Sequence, residues 1–249
     1  MKKKIIYIIA SVIALMLLAF IFYRIYVVNT GVPILAYHSV LDNPSNDTDI
    51  SIKKFKKQME YIAKNKYDTL SLDEFFSWKN NKRKIKKSVV LTFDDGTSSF
   101  YNTVVPILKK YNLKATVFII EGMIDKNGYM TKEELDKLKL EKNISVMYHG
   151  TNLHNMDLAY SNDYEIYNKD LKLGKDKYSY YAYPFGITND NYKKALKNNN
   201  FKLAFLYQKS KWAVKNDQPY EIPRVPIYNS TNFIKFIIKI TFKLYLFKS

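Results

Sequence analysis

The chain has 249 residues, 47% hydrophobic and 16% aromatic, enough apolar surface to bury a core and too much for a disordered chain. It contains no cysteine, which excludes disulfides, thiolate metal sites and cysteine nucleophiles and leaves His, Asp and Glu as metal ligands. The net charge of +17 comes almost wholly from lysine; no nucleic-acid-binding motif accompanies it, so anionic lipid headgroups or wall polymers are the expected partners rather than nucleic acid.

Lys2, Lys3 and Lys4 open the chain, and an uncharged apolar run from Ile5 to Tyr23 follows, long enough to cross a bilayer as a helix. Its far flank carries only Arg24, so the lysine-rich end is expected in the cytoplasm. A cleaved signal peptide is the alternative; against it, the run exceeds a typical signal core and no clear small-x-small cleavage site follows it. Residues 1–4 are therefore expected to be a cytoplasmic stub, 5–28 an uncleaved transmembrane signal anchor and 29–249 one extracytoplasmic domain, with Val27–Gly31 as a short linker.

Beyond it, strand-like and helix-like segments alternate. Pro33–Tyr37 reads as a buried strand; Ile52, Phe55, Met59 and Ile62 fall at helical spacing; Ser71 and Glu74 form a capping box. Val89–Phe93 is the next strand, and a helix over Tyr101–Tyr111 contains Pro106, expected to kink or shorten it. Thr116–Ile120 reads as a strand, Thr131 and Glu134 cap a helix through Leu140, and Ile144–Tyr148 is a strand running into His149. Helix 164–173, strand 180–183, helix 191–197 and strand 201–207 complete the rhythm, which predicts a parallel sheet or (β/α) barrel. The tail Phe233–Phe247 has Lys235, Lys239 and Lys243 four apart, and apolar residues also alternate along it. It can pack on the barrel as a helix, lie at a membrane interface, or form a strand.

The chemistry concentrates where strands end. SVVLTFDDG (Ser88–Gly96) closes an apolar run with two adjacent carboxylates; Asp-Gly alone is a turn signal, but two like charges at a strand mouth call for a cation. Neighbouring residues on an extended segment point oppositely, so one of Asp94 and Asp95 can bind a metal while the other faces a substrate. Two of the three histidines, His149 and His154, sit in YHGTNLH. On a helix they would be turned by about 140°, so only a loop can bring both to one ion; otherwise they are unrelated loop histidines. His38 ends the first strand, as a functional imidazole or a buried structural one.

TFDDG, the His-x4-His motif, AYPFG at Ala182–Gly186, LAYHSV and the late Ile222–Arg224 together resemble the NodB-type polysaccharide deacetylases of carbohydrate esterase family 4, nearest to the poly-N-acetylglucosamine deacetylases of biofilm exopolysaccharide systems. The resemblance covers about Val32–Tyr228 and implies a distorted or incomplete (β/α) barrel. It implies Asp94 as general base, Asp95, His149 and His154 as ligands of a divalent metal (zinc, with cobalt or nickel as alternatives), and His38 as general acid. A backbone N–H near Tyr183 would hold the oxyanion, and Tyr183, Pro184, Phe185 and Trp212 would face substrate. Many relatives carry arginine where Ala182 stands; Arg224, one of three arginines here, is expected to pair with Asp94 in its place. Ser or Thr usually follows the first histidine, where this chain has Gly150.

The implied activity is metal-dependent N-deacetylation of an extracellular N-acetylglucosamine polysaccharide such as a β-1,6-linked polymer. Peptidoglycan or another wall glycopolymer is the alternative substrate, and a catalytically weak glycan-binding surface protein the alternative outside enzymes. The chain is expected at the cell membrane, single-pass, through its N-terminal helix and possible contact of the basic tail.

Overall fold

A computed structural model describes residues 2–207 and 210–242, and their side chains except those of residue 2 and residues 24–30. Helix α1 (Lys2–Thr30) is continuous, so the linker expected at Val27–Gly31 is helical almost to its end. Its stretch Lys3–Tyr23 is long and apolar enough to cross a membrane.

The elements then run β1 (Ile34–Tyr37), β2 (Val40–Leu41), β3 (Ile50–Ser51), α2 (Ile52–Lys64), β4 (Asp68–Thr69), α3 (Leu72–Lys79) and β5 (Ser88–Phe93). They continue with α4 (Val105–Lys110), β6 (Ala115–Ile119), α5 (Lys132–Leu138), β7 (Ile144–Tyr148), α6 (Met156–Ala159) and α7 (Tyr164–Gly174). Last come β8 (Tyr180–Ala182), α8 (Asp190–Asn198), β9 (Leu203–Phe205), β10 (Val225–Pro226) and α9 (Phe233–Thr241). Both expected capping boxes form, at Ser71 with Glu74 and at Thr131 with Glu134. The helix expected over Tyr101–Tyr111 is instead a π turn (Phe100–Val104) followed by α4. Pro106 sits in the first turn of α4, where its missing N–H costs nothing, so it starts the helix rather than kinking it.

The main sheet has the order β10-β1-β5-β6-β7-β8-β9 with every neighbouring pair parallel, and β4 pairs with the start of β5. The sheet curls until its edges nearly meet. Ile222 bridges Phe205 of β9 while Val225 and Pro226, a few residues on, pair with β1. This is the distorted barrel expected of a βαβ rhythm.

Side chains alternate between the two faces. Ile34, Val90, Phe118, Tyr180, Ala182, Leu203 and Phe205 point inward into one cluster, closed at the amino-terminal end by Leu72, Phe75 and Trp78 of α3. Leu35, Leu91, Val117 and Ile144 face outward under α2, α4, α5 and α9. Tyr148, Tyr181 and Ala204 do so under α7 and α8. Strands covered on both faces are apolar throughout, which is why β5 reads as a continuous apolar run. The tail packs on the barrel as a helix through Phe236 and Ile240 as far as Thr241; residues 243–247 of the tail lie outside the described residues.

Candidate active site

The inward rows deliver side chains to the carboxyl-terminal mouth. Extending Ile34–Ala36 by two residues brings His38 to the rim, Val90–Thr92 brings Asp94, Ser145–Met147 brings His149, and Leu203–Phe205 brings Tyr207. Asp94 stays in register, donating its N–H to Tyr37 O at 2.9 Å. The chain then turns sharply: Asp95 and Gly96 both have left-handed backbones, at φ 73° and 75°. A Cβ at position 96 would lie 2.9 Å from Ile119 Cγ2, so the glycine is sterically required and Asp95 swings away from Asp94.

Asp94 is buried and meets Arg224, which is fully buried, through two parallel bonds: Nη1 to Oδ1 at 2.7 Å and Nη2 to Oδ2 at 2.8 Å. The guanidinium is itself fixed, donating from Nε to Leu206 O (3.0 Å) and from Nη1 to Thr92 Oγ1 (3.2 Å). Burial pushes Asp94 up, but the charge of Arg224 and its hydrogen bonds outweigh it and hold the carboxyl below its usual range. Asp94 is thus an oriented, ionised carboxylate.

Asp95 meets the two histidines. Its Oδ1 lies 3.5 Å from His149 Nε2 and 3.3 Å from His154 Nε2, and the three ligand atoms lie within 4.8 Å of one another. His149 Nδ1 sits 2.8 Å from Ala182 O; donating there, the neutral ring presents the Nε2 lone pair to Asp95. Oδ1 is buried yet accepts no hydrogen bond. An orphaned carboxylate oxygen facing imidazole lone pairs is satisfied by a cation between them. Tetrahedral ligands about 2.0–2.1 Å from zinc stand about 3.4 Å apart, which the observed spacings match. The residues therefore fit a divalent ion, and an oxygen-and-imidazole set suits zinc, cobalt or nickel.

Asp170, which sequence reasoning missed, holds the histidine loop. Buried on α7, it accepts from Thr151 N (3.0 Å), Asn152 N (2.7 Å) and Asn152 Nδ2 (3.0 Å). Burial pushes its carboxyl up despite those donors. Gly150 (φ 90°) brings the loop so near that a Cβ would stand 3.2 Å from Asp170 Oδ2, which explains glycine in place of Ser or Thr. In sequence, Asp170 reads as one more charge on a polar helix.

The substrate-facing expectations divide. Phe185 is exposed beside the metal cluster, its ring centroid 4.7 Å from that of His154. Tyr183 and Pro184 are buried; the Tyr183 hydroxyl donates to Tyr220 O, and its N–H donates to Phe205 O at 3.1 Å, so that N–H is not free for an oxyanion. Phe185 N–H has no acceptor among the described residues. Trp212 is misplaced as an acetyl-pocket residue: it lies at the opposite, amino-terminal end, where Nε1 donates to Lys239 O at 2.7 Å and the ring packs near Ile240 and Gly31. Its polar neighbours concealed a buried anchor for α9. Tyr37, Tyr148 and Tyr181 are core residues. His38 stands at the rim with Nδ1 buried and unpartnered and its ring edge-on to Tyr207, 5.2 Å between centroids.

Residues 81–204 match the polysaccharide deacetylase family model. The poly-β-1,6-N-acetyl-D-glucosamine N-deacetylase of Staphylococcus epidermidis is 27% identical over 217 residues, 79% of this chain and 75% of that one. The Staphylococcus aureus protein of the same name is 29% identical over 201 residues, 72% and 67% of the two chains. Among solved structures, the Streptococcus pyogenes deacetylase PplD in complex with acetate superimposes with a TM-score of 0.76 at 26% identity, covering 85% of this chain and 99% of that one. IcaB from Ammonifex degensii, at 22% identity, shares the fold with a TM-score of 0.74 over 85% and 97% of the chains. On the family match, these relatives and the shared barrel, the chain carries a polysaccharide deacetylase domain, of a family of hydrolases that act on amide bonds.

Proposed function

We propose that the protein removes acetyl groups from an N-acetylglucosamine polysaccharide of the poly-β-1,6 type, at the outer face of the membrane that α1 spans. The observation that carries the reading is the pair of adjacent aspartates sent to different partners, Asp94 to Arg224 and Asp95 to two histidines. The substrate class rests on the two staphylococcal relatives.

Asp95, His149 and His154 would hold a divalent ion, zinc by donor set, which when bound supplies Lewis-acid polarisation of the acetamide and a more acidic water. Asp94 takes the proton from the attacking water as its oxygen bonds to the acetyl carbon. Arg224 keeps that carboxylate ionised and fixes the direction of its oxygens. Phe185 N–H donates to the carbonyl oxygen as it becomes an oxyanion. His38 gives a proton to the amine nitrogen as the C–N bond breaks, leaving acetate and glucosamine. Phe185 offers an exposed ring face to the sugar.

Acetate release from β-1,6-linked N-acetylglucosamine oligomers, by the full chain in detergent with and without added zinc, tests the substrate. Metal-dependent release supports the reading. Release from peptidoglycan fragments alone would move the substrate, and glycan affinity without any release would leave a binding protein.

A further inference from the structure

The barrel separates its charges. Connections into the amino-terminal ends of strands are basic: residues 80–87 hold four lysines and an arginine without a carboxylate, and Lys114, Lys139, Lys142 and Lys202 lie in those before β6, β7 and β9. Connections leaving the carboxyl-terminal ends are acidic: Asp42, Asp47 and Asp49 follow β1, Asp94 and Asp95 follow β5, and Asp157 and Asp163 follow β7. The segment after β9, with Lys211, is the exception.

Asp68, Asp73, Glu74 and Glu141 on the basic face are already engaged. Asp68 pairs with Arg83, Glu74 with Arg83 and Lys114, Glu141 with Lys109, and Asp73 accepts from the Tyr180 hydroxyl. Lys66, Lys82, Lys84, Lys86, Lys142 and Lys202 remain exposed with no carboxylate partner among the described residues. Contacts tie the face together: Lys114 N donates to Thr69 Oγ1, and Asn143 Nδ2 to Asn112 Oδ1. The membrane helix leaves from this same end. Gly31 lines a small cavity with Lys86, Lys87 and Trp212, Val32 bridges Ala213, and Phe242 stacks near Tyr23 of α1 at 6.4 Å.

We infer that this basic face docks on the anionic lipid headgroups of the bilayer that α1 spans, turning the catalytic mouth away from the membrane. The six residues of β5 span about 20 Å, so the metal cluster stands roughly that far from the headgroups. The enzyme then acts on polymer already clear of the bilayer. A basic surface of this size held beside anionic lipid is worth well over tenfold in the docking equilibrium, and the attraction fades within a Debye length. The inference rests on α1 remaining in the membrane.

The test places the full chain in nanodiscs of pure phosphatidylcholine and in nanodiscs with roughly a third phosphatidylglycerol. Lysine acetylation by a water-soluble reagent is read by mass spectrometry, with Lys126 beside the mouth as internal reference. Docking lowers labelling of Lys82, Lys84 and Lys86 at least about fivefold in the anionic discs, leaves Lys126 unchanged, and is reversed by about 0.5 M salt. In Lys82→Glu/Lys84→Glu/Lys86→Glu, with melting temperature and acetate release retained, Lys142 and Lys202 label alike in both discs. Equal labelling of the wild type in both discs overturns docking. So does a fall at Lys126, or protection that appears in neutral discs only when a soluble polyglycerol phosphate is added. A chain that fails to enter discs overturns the anchor itself, a result distinct from an inserted chain that does not dock.

Discussion

Replacing Arg224 by lysine keeps the charge and removes the fork. The guanidinium makes four hydrogen bonds, two to Asp94 and one each to Leu206 O and Thr92 Oγ1, from a site with no solvent exposure. An ammonium donates from a single point and cannot span both Asp94 oxygens while also reaching Leu206 O. Losing two charge-assisted bonds, each about 1.5–3 kcal/mol, with partial recovery, is expected to lower stability by about 2–4 kcal/mol. Arg224→Met, which leaves Asp94 buried and unpaired, is expected to cost about 3–5 kcal/mol. Freed to move about 1 Å, the Asp94 carboxylate should lose about a hundredfold in kcat, or ~2.7 kcal/mol of barrier. Thermal unfolding and acetate release at saturating metal separate the two effects. The pH profile gives a third readout: burial raises Asp94 and Arg224 outweighs it, so in Arg224→Met the acid limb of kcat/KM should move to higher pH. Arg224→Lys with activity within about twofold of wild type and an unmoved acid limb would refute the positioning role.

Other expectations follow from neighbouring contacts. Asp170→Ala frees the loop between the histidines and should weaken zinc binding by about 10–100-fold in a competition titration, with Asp170→Asn recovering part of the loss. Gly150→Ala, at φ 90° against Asp170, should lower stability by about 1–2 kcal/mol in thermal unfolding and weaken metal binding as well. Trp212→Phe should lower stability by about 1 kcal/mol through the lost bond to Lys239 O and leave KM unchanged, since the residue lies at the far end of the barrel. A rise in KM would return it to the substrate site.

The barrel was legible because its strands are covered on both faces and read as apolar runs, each followed by a capped or periodic helix. β2, β3, β4 and β10 were not: two residues carry no alternation, and β10 is hidden in a proline-flanked IPRVP. The cluster of Asp95, His149 and His154 was legible through rarity, since three histidines in the whole chain left few alternatives. Asp170 was missed and Trp212 misread for one reason. Each makes its defining contacts with residues distant in sequence, Asp170 with the histidine loop and Trp212 with α9, so local composition describes neither. The charge separation was equally hidden, because net charge carries no information about which end of the barrel a loop occupies.

In the proposed mechanism adjacent aspartates divide the work, which one paired measurement tests: zinc affinity and acetate release in Asp94→Asn and Asp95→Ala. That division requires Asp95→Ala to lose both, and Asp94→Asn to bind zinc within a few-fold of wild type while releasing no acetate. Zinc binding lost in Asp94→Asn but kept in Asp95→Ala, or acetate release surviving in either, would contradict it.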